Sequence, residues 1–269
     1  MLSPEQCAEQ LYQRKCLVVV PTYNNASTLK EVLDSILPYT TYQLGQNHAI
    51  QQLLVVNDGS TDTTAELLMD YPSILQLSYE HNAGKGIALR RAFDFAVEKG
   101  YQYVITLDSD GQHFAHDIPT FVAAIPQHPH AIIIGSRNMG QENVPTKSSF
   151  GNKFSSFWLW VETGIKLQDT QSGFRLYPVQ ALQTVSFVTR RYEFEVEVLV
   201  RAAWEGIDLL CLPIEVYYPP QEERVSHFRP FWDFFRISVL NTFLCLAAFL
   251  WYRPRMWFRG EKKKALEHA

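Results

Sequence analysis

Short apolar runs alternate with helix-patterned stretches through the first half of the chain, and three of the runs end abruptly in polar clusters. The runs are 16–20, 53–57, 75–80, 103–107 and 132–135, with helical patterns between them at 27–37, 61–69, 84–98 and 116–125. Strands that read as apolar without interruption must be covered on both faces. The pattern therefore predicts an α/β fold, a mostly parallel sheet flanked by helices. In such sheets ligands bind beyond the carboxyl ends of the strands. The clusters Pro21-Thr22-Tyr23-Asn24-Asn25, Asp58-Gly59-Ser60 and Asp108-Ser109-Asp110 stand at those ends, and the chemistry is expected there.

Of the 269 residues 46% are hydrophobic and 19% charged, enough to bury a large core and too apolar for disorder. No repeat or low-complexity linker divides residues 1–220, which are expected to form one catalytic domain. Its second half holds a loop at 138–149, an aromatic helix near 154–161, a polar stretch at 168–175, a helix at 192–204 and a strand at 209–216. The net charge of -4 excludes a basic coat for nucleic acid, but it is unevenly distributed. Residues 221–269 hold nine basic and five acidic side chains, a net of +4, so the first 220 carry -8. That tail contains an apolar run at 237–252, preceded by Arg236, followed by Arg253 and Arg255, and crowded at its far end by Trp251, Tyr252, Trp257 and Phe258. As a helix the run measures roughly 24 Å against a hydrocarbon core of ~30 Å. Residues 221–265 are thus expected to form a basic loop and an amphipathic helix lying in the headgroup region of a membrane, with a buried core or homodimer helix as the alternative.

Met1 to Arg14 shows no basic start followed by an apolar core, so the expected location is cytoplasmic, peripheral on the inner face of the cytoplasmic membrane. Cys7, Cys16, Cys211 and Cys245 lack metal-ligand spacing and are expected to stay reduced. Residues 266–269 have the composition of a vector-derived remnant and are set aside.

The motif Leu107-Asp108-Ser109-Asp110-Gly111-Gln112-His113 puts two carboxylates one residue apart at a strand end, where a turn can aim both at one cation. Oxygen ligands favour Mg²⁺ or Mn²⁺ over zinc, with Gln112 as a further contact and substrate phosphates completing the shell. Asp58 ends an upstream strand, where a carboxylate can accept hydrogen bonds from a nucleobase edge. Asn82-Ala83-Gly84-Lys85-Gly86 opens a helix, an anion site with Lys85 as a mobile charge. Neither the phosphate loop of ATPases nor a dinucleotide fingerprint is present.

Taken in order, Val20-Pro21-Thr22-Tyr23-Asn24-Asn25, Asn57-Asp58-Gly59-Ser60, Asn82-Ala83-Gly84-Lys85-Gly86 and Asp108-Ser109-Asp110-Gly111-Gln112-His113 resemble family 2 glycosyltransferases of the GT-A fold. The resemblance is greatest to the branch of dolichyl-phosphate mannose synthases and bacterial polyprenyl-phosphate glycosyltransferases. It continues through Gly135-Ser136-Arg137, Ser172-Gly173-Phe174-Arg175 and residues 192–197. It implies that Pro21, Thr22, Tyr23, Asn25 and Asp58 hold the base and ribose of a nucleotide sugar, that Lys85 lies beside the nucleotide, and that Asp108, Asp110 and Gln112 face a metal on its diphosphate. Arg137 and Arg175 would flank the acceptor, and Ser172 would shape the floor under the sugar. Arg224, His227 and Arg229 fall where relatives carry a loop over the phosphates, and such a group can clamp a diphosphate. A basic stretch facing anionic lipid is the other reading. Asn25 stands where many relatives have Glu, and Asn57 where many have Asp, which leaves UDP and GDP both open.

The resemblance further implies an inverting, metal-dependent transfer to a lipid or lipid-phosphate acceptor. A phosphate acceptor needs no base, whereas a hydroxyl does. On a helix Glu193 and Glu197 share a face and Glu195 points elsewhere. Glu195 is the first choice of base, Glu197 the second and Asp169 the third, while at least one of the helical acids is expected to pair with Arg190, Arg191 or Arg201 on a solvated face. Transfer to a hydroxyl in cell-envelope glycan or glycolipid synthesis, and a non-catalytic nucleotide-sugar scaffold, are the alternatives.

Overall fold

The computed structural model describes residues 2–45, 48–137, 146–218 and 229–252. Helix α1 (Pro4–Gln13) leads into β1 (Cys16–Thr22), α2 (Ala26–Thr40), a hairpin of β2 (Thr41–Gln43) and β3 (Ala49–Gln51), β4 (Leu53–Asn57), α3 (Thr64–Met69), β5 (Leu75–Ser78), α4 (Lys85–Glu98) and β6 (Tyr103–Thr106). A 3-10 turn at Ala115–Asp117 precedes α5 (Ile118–Ala124). Then come β7 (Ala131–Arg137), α6 (Thr146–Thr163), β8 (Arg175–Pro178), α7 (Val179–Leu182), α8 (Phe194–Trp204), β9 (Asp208–Ile214) and α9 (Pro230–Ala247), which runs on into a π-helical turn, Ala248–Tyr252.

Seven strands form one sheet in the order β5-β4-β1-β6-β8-β7-β9. Strands β5, β4, β1 and β6 are parallel, β8 runs antiparallel between β6 and β7, and β9 lies parallel to β7. Alternate side chains feed two cores. Leu17, Val19, Leu54, Val56 and Val104 pack with α4 and α8, while Cys16, Val18, Val20, Leu53, Val55 and Ile105 pack with α2 and α5. Burial on both faces is why these runs read as continuously apolar. Thr22 pairs with Asn57 in the ladder, so the loops after β1 and β4 leave the sheet at one level.

Helices α1 and α7, the β2–β3 hairpin and strand β8 lie outside the expected elements, and α6 begins at Thr146, inside the expected loop 138–149. Helix α1, mostly polar, buries Cys7, Ala8 and Leu11 on one face and starts with a cap in which Ser3 and Gln6 exchange reciprocal side-chain hydrogen bonds around Pro4 in the first turn. Strand β8 begins with an arginine inside what reads as a polar stretch. Arg175 is nonetheless fully buried, because its guanidinium donates to the carbonyl oxygens of Ser172 (2.7 Å), Thr170 (2.9 Å) and Glu195 (2.8 Å).

Helix α9 corrects the expectation of a short one. It starts at Pro230, and its apolar stretch Phe231–Tyr252 has 22 residues, so at 1.5 Å per residue it extends roughly 33 Å, enough to match the hydrocarbon core. Its inner face sets Leu240, Leu244 and Ala248 into the core beside α6 and α8, together with the buried polar residues Asp233 and Asn241. Its outer face shows Phe231, Trp232, Phe235, Phe243 and Leu250, each between 56% and 77% exposed. The exposed hydroxyls of Ser238 and Thr242 are turned back onto the carbonyls of Phe234 and Ser238. An amphipathic helix on a soluble body would show its polar side outward, whereas here Asp233 and Asn241 point in and the aromatic rings point out.

Beneath this helix Glu162 of α6 is fully buried, and burial pushes its carboxyl up to about 8, although Cys245 Sγ donates to Oε1 across 3.7 Å. Oε2 has no hydrogen-bond partner, nor has Oδ1 of the nearby helix's Asn241. An acid whose folded value is raised above its ordinary 4.5 favours the folded state at low pH, and that contribution is lost as pH rises through about 8. Thermal unfolding followed from about pH 6 to about pH 9 should therefore show the native protein losing stability, and Glu162→Gln, a neutral copy of the protonated acid, should flatten the slope.

Candidate active site

Beyond the ends of β1, β4 and β6 opens a cleft of about 660 Å³. Pro21, Thr22, Tyr23, Asn25, Asp58, Lys85, Asp108 and Asp110 line it, so the residues expected around the nucleotide are brought to one cavity. Ser109, Asn82, Gly84, Ala88, Arg191, Tyr192 and Arg229 complete the wall.

The loops at one end of the cleft are stitched together by side chains. Asn24, at a left-handed φ of 51°, accepts the Thr61 N–H on Oδ1 at 2.7 Å and donates its own N–H to Ser60 Oγ at 3.0 Å. Asn25 Nδ2 donates to Ser109 Oγ at 2.6 Å, which ties the loop after β1 to the loop after β6. Asn57 Oδ1 accepts the Ser60 N–H at 3.0 Å and so serves its own turn. Asp58 is buried and accepts the N–H groups of Ala83 at 3.1 Å and Gly84 at 2.7 Å, with the Arg91 guanidinium 3.7 Å away and stacked over Tyr79. The carboxylate thus orders the start of α4. Gly84 has φ of 102°, and a Cβ there would lie 2.7 Å from Arg191 Cγ and 2.8 Å from the Arg190 carbonyl, so glycine is what lets α4 begin against the 190–191 segment.

Beside these loops the acids converge on one lysine. Lys85 Nζ reaches Asp108 Oδ1 at 2.8 Å and Glu195 Oε1 at 3.0 Å. Burial alone would lower the ammonium, but the two carboxylates outweigh it and hold Lys85 well above the ordinary lysine range. Burial likewise favours protonated Asp108, and Lys85 reverses the balance and keeps it below the usual carboxylate range. Asp110 is pushed up to about 6 by burial and by the charge of Asp108, while its Oδ1 accepts the Gln112 N–H at 3.0 Å. Burial takes His113 down to about 4, so it is neutral, with its ring 5.4 Å from that of Phe174 and its buried Nδ1 without a hydrogen-bond partner. Behind Asp108 stands Gly173, where a Cβ would lie 2.6 Å from Asp108 Cγ; Thr106 Oγ1 donates to the Gly173 carbonyl at 2.7 Å and fixes that floor to β6.

Among the described residues no three His, Cys, Asp or Glu side chains gather to hold a metal ion by themselves. Asp108 and Asp110 supply hard oxygens, and a carboxylate pair of this kind fits Mg²⁺ or Mn²⁺ taking its remaining ligands from substrate phosphates and water.

Residues 17–186 match the family model described as Glycosyl transferase family 2. The chain belongs to that family. This transferase is 27% identical over 222 residues to the UDP-N-acetylglucosamine–dolichyl-phosphate N-acetylglucosaminyltransferase of Methanococcus voltae, covering 75% of this chain and 85% of that one. It is 27% identical over 218 residues to the polyprenol monophosphomannose synthase of Mycolicibacterium smegmatis, covering 75% and 77%. Its fold is GT-A, as in the crystal structure of glucosyl-3-phosphoglycerate synthase from Mycobacterium tuberculosis in complex with Mn²⁺, UDP-glucose and phosphoglyceric acid, with a TM-score of 0.63 and 20% identity over 92% of this chain and 84% of that one.

The transferase gives its acids and arginines different surroundings from those expected. Glu195 points at Lys85, but Glu197 is fully buried and accepts from the N–H groups of Val188 (3.1 Å) and Thr189 (2.9 Å) and from Arg201 Nε (2.6 Å). Glu197 pins the 188–189 segment to α8 and is no second base, and its pair with Arg201 is not a solvated one. Asp169 is also fully buried, in a two-point pair with Arg137 at 2.6 and 3.0 Å. Burial pushes Asp169 up, and Arg137 overcomes this and holds it below the usual range. The pair occupies both members, so Asp169 is no third base and Arg137 no free cation for an acceptor. Arg175 is spent on carbonyls and does not face an acceptor either. Ser172 is buried, its Oγ accepting the Phe174 N–H at 3.3 Å. Arg224 and His227 lie outside the described residues, whereas Arg229 lines the cleft. Arg191, expected only as a partner for a helical acid, and Tyr192, expected only as the start of a helix, both line the cleft, in the segment just before α8.

Gly173→Ala should push the Asp108 carboxylate out of place, and a misplacement of about 1 Å costs on the order of a hundredfold in rate. Donor turnover checks this, with a cooperative thermal unfolding transition as the control for folding. Asp110 must be ionised to hold a cation, so Mn²⁺ affinity measured calorimetrically with UDP or GDP should fall as pH drops through about 6, and Asp110→Asn should abolish it.

Proposed function

We propose that this transferase moves a sugar, with inversion, from a UDP- or GDP-sugar to the phosphate of a polyprenyl lipid at the cytoplasmic face of a membrane. The observation that carries the reading is Arg229, which lines the cleft and is also the N-cap of α9, so that the polar cavity and the aromatic outer face of that helix meet at one residue. The acceptors named for relatives, dolichyl phosphate in Methanococcus voltae and undecaprenyl phosphate in Micrococcus luteus, agree with it.

In this reading Pro21, Thr22, Tyr23, Asn25 and Asp58 take the base and ribose, and Lys85 the diphosphate. Asp108 and Asp110, with Gln112, would hold Mg²⁺ or Mn²⁺, which when bound supplies positive charge beside the departing diphosphate. The acceptor phosphate is already ionised at neutral pH and attacks the anomeric carbon without a protein base. Arg191 and Arg229 are the cleft cations that would receive it by charge-assisted hydrogen bonds. Because α9 is packed along one face on α6 and α8, lipid cannot surround it. It lies in the interface instead, outer face in the acyl boundary.

Glu195, beside Lys85, favours a hydroxyl acceptor as the second reading, since a hydroxyl must lose its proton. Labelled UDP- and GDP-sugars offered with undecaprenyl phosphate or with a hydroxyl-bearing glycolipid decide between them. Label should pass to the lipid phosphate and survive Glu195→Gln; label passing only to the glycolipid, with a loss on the order of a hundredfold or more in that variant, would establish the second reading. A chain that neither transfers nor hydrolyses any donor is a scaffold. Phe243→Glu and Leu250→Glu each remove an apolar side chain whose burial contributes about 1.5–3 kcal/mol, so each should weaken liposome flotation about tenfold or more. Equal flotation of variants and native protein would sink the interfacial helix.

A further inference from the structure

We propose that Lys85 is a resident counter-cation: its ammonium holds the metal's place on Asp108 until a nucleoside diphosphate draws it away, and the same movement releases Glu195. This rests on the reading of the cleft as a metal-dependent donor site. Two carboxylates, those of Asp108 and Glu195, share a single Nζ, which lies 2.8 Å from the first and 3.0 Å from the second, and Asp110 lines the same cleft. The side chains of Lys85, Asp108 and Glu195 are only 18%, 25% and 13% exposed, so water does little to screen these contacts.

The backbone of Lys85 has no comparable freedom. The Gly84 N–H is held by Asp58 at 2.7 Å, and the Ile87 N–H donates to the Arg190 carbonyl at 3.0 Å, so the first turn of α4 is fixed on both sides. Only the flexible four-carbon stem can move, and it carries a compact charge at its end. While that charge sits on Asp108, a divalent cation arriving alone meets a neutralised carboxylate, a like charge, and Asp110 as its sole unopposed anion. A diphosphate changes the balance, because its oxygens compete for the ammonium and bring ligands to the cation. Metal and nucleotide should then bind weakly apart and tightly together, and the coupling must be reciprocal. Glu195 loses its lysine partner only after donor is in place. Lys85 is thus a positioning residue that sets the order of binding.

Free Mn²⁺, followed by electron paramagnetic resonance at about pH 8, tests this on the full chain without any turnover, with and without UDP or GDP, in native protein, Lys85→Met and Lys85→Arg. Native protein should bind Mn²⁺ weakly until nucleotide is added. Lys85→Met should bind Mn²⁺ alone about tenfold more tightly, and the tightening by nucleotide should shrink by a similar factor; Lys85→Arg, which keeps the charge, should resemble native protein. Both variants are first required to unfold cooperatively, and Lys85→Arg keeps the comparison available should the methionine disturb folding, since a charge-retaining variant that gains Mn²⁺ affinity in the absence of nucleotide also overturns the proposal. Mn²⁺ affinity in Lys85→Met equal to or below native overturns it alone. No Mn²⁺ binding by any form, with either nucleotide, overturns it together with the metal-dependent reading on which it rests.

Discussion

One buried guanidinium holds the cleft end of the molecule together. Arg175 opens β8, the antiparallel strand between β6 and β7, and its donors reach carbonyls of Ser172, Thr170 and Glu195. An arginine taken from water without such partners would be too costly to fold. Satisfied by them, it joins the floor on which Asp108 rests, through Gly173, to the first turn of the helix that aims Glu195. The two carboxylates that meet Lys85 are therefore set by a residue that hydrogen-bonds neither side chain. This is a different use from the acceptor contact that its place in the motif implied.

The same residue shows where sequence stops being legible. Strands β1, β4 and β6 could be found because both faces of the sheet are covered, which turns each into an uninterrupted apolar run, and because they end in polar clusters at the carboxyl edge. The cleft residues of those clusters were legible for the same reason. Strand β8 was not, since an arginine and a proline in four residues look like loop until the carbonyls that satisfy the arginine are known. Helix α1 is hard to read because it is short and mostly polar, although Cys7, Ala8 and Leu11 mark one buried face and its capping box stands at Ser3 to Gln6. Helix α9 was read too short because Asp233 and Arg236 look like the end of an apolar run. In the fold Asp233 is buried and accepts the Arg229 N–H at 2.7 Å, so it closes the first turn of the helix.

Acidic residues in the first 220 do three kinds of work that composition cannot separate. Glu197 and Asp169 are structural, each fully buried and matched to a neighbouring arginine. Asp58 holds backbone N–H groups while bordering the cleft. Asp108, Asp110 and Glu195 form the group that remains short of positive charge, with one lysine among them. Alternation in Glu193, Glu195 and Glu197 did indicate that the middle acid differs from its neighbours, but not which side the protein would occupy. That was decided by the 188–189 segment, whose N–H groups Glu197 meets.

The clasp made by Asn24 has a consequence for how the cleft takes a ligand. With Asn24 fastened to Ser60 and Thr61, and Asn25 to Ser109, the loops after β1, β4 and β6 are tied to one another and have little freedom left to lose. Between the acids themselves the bridge is a single unbranched side chain, that of Lys85. The backbone around the cavity is thus tied in place while the charge within it rides on one flexible stem, so a ligand can be accommodated at small entropic cost in the loops.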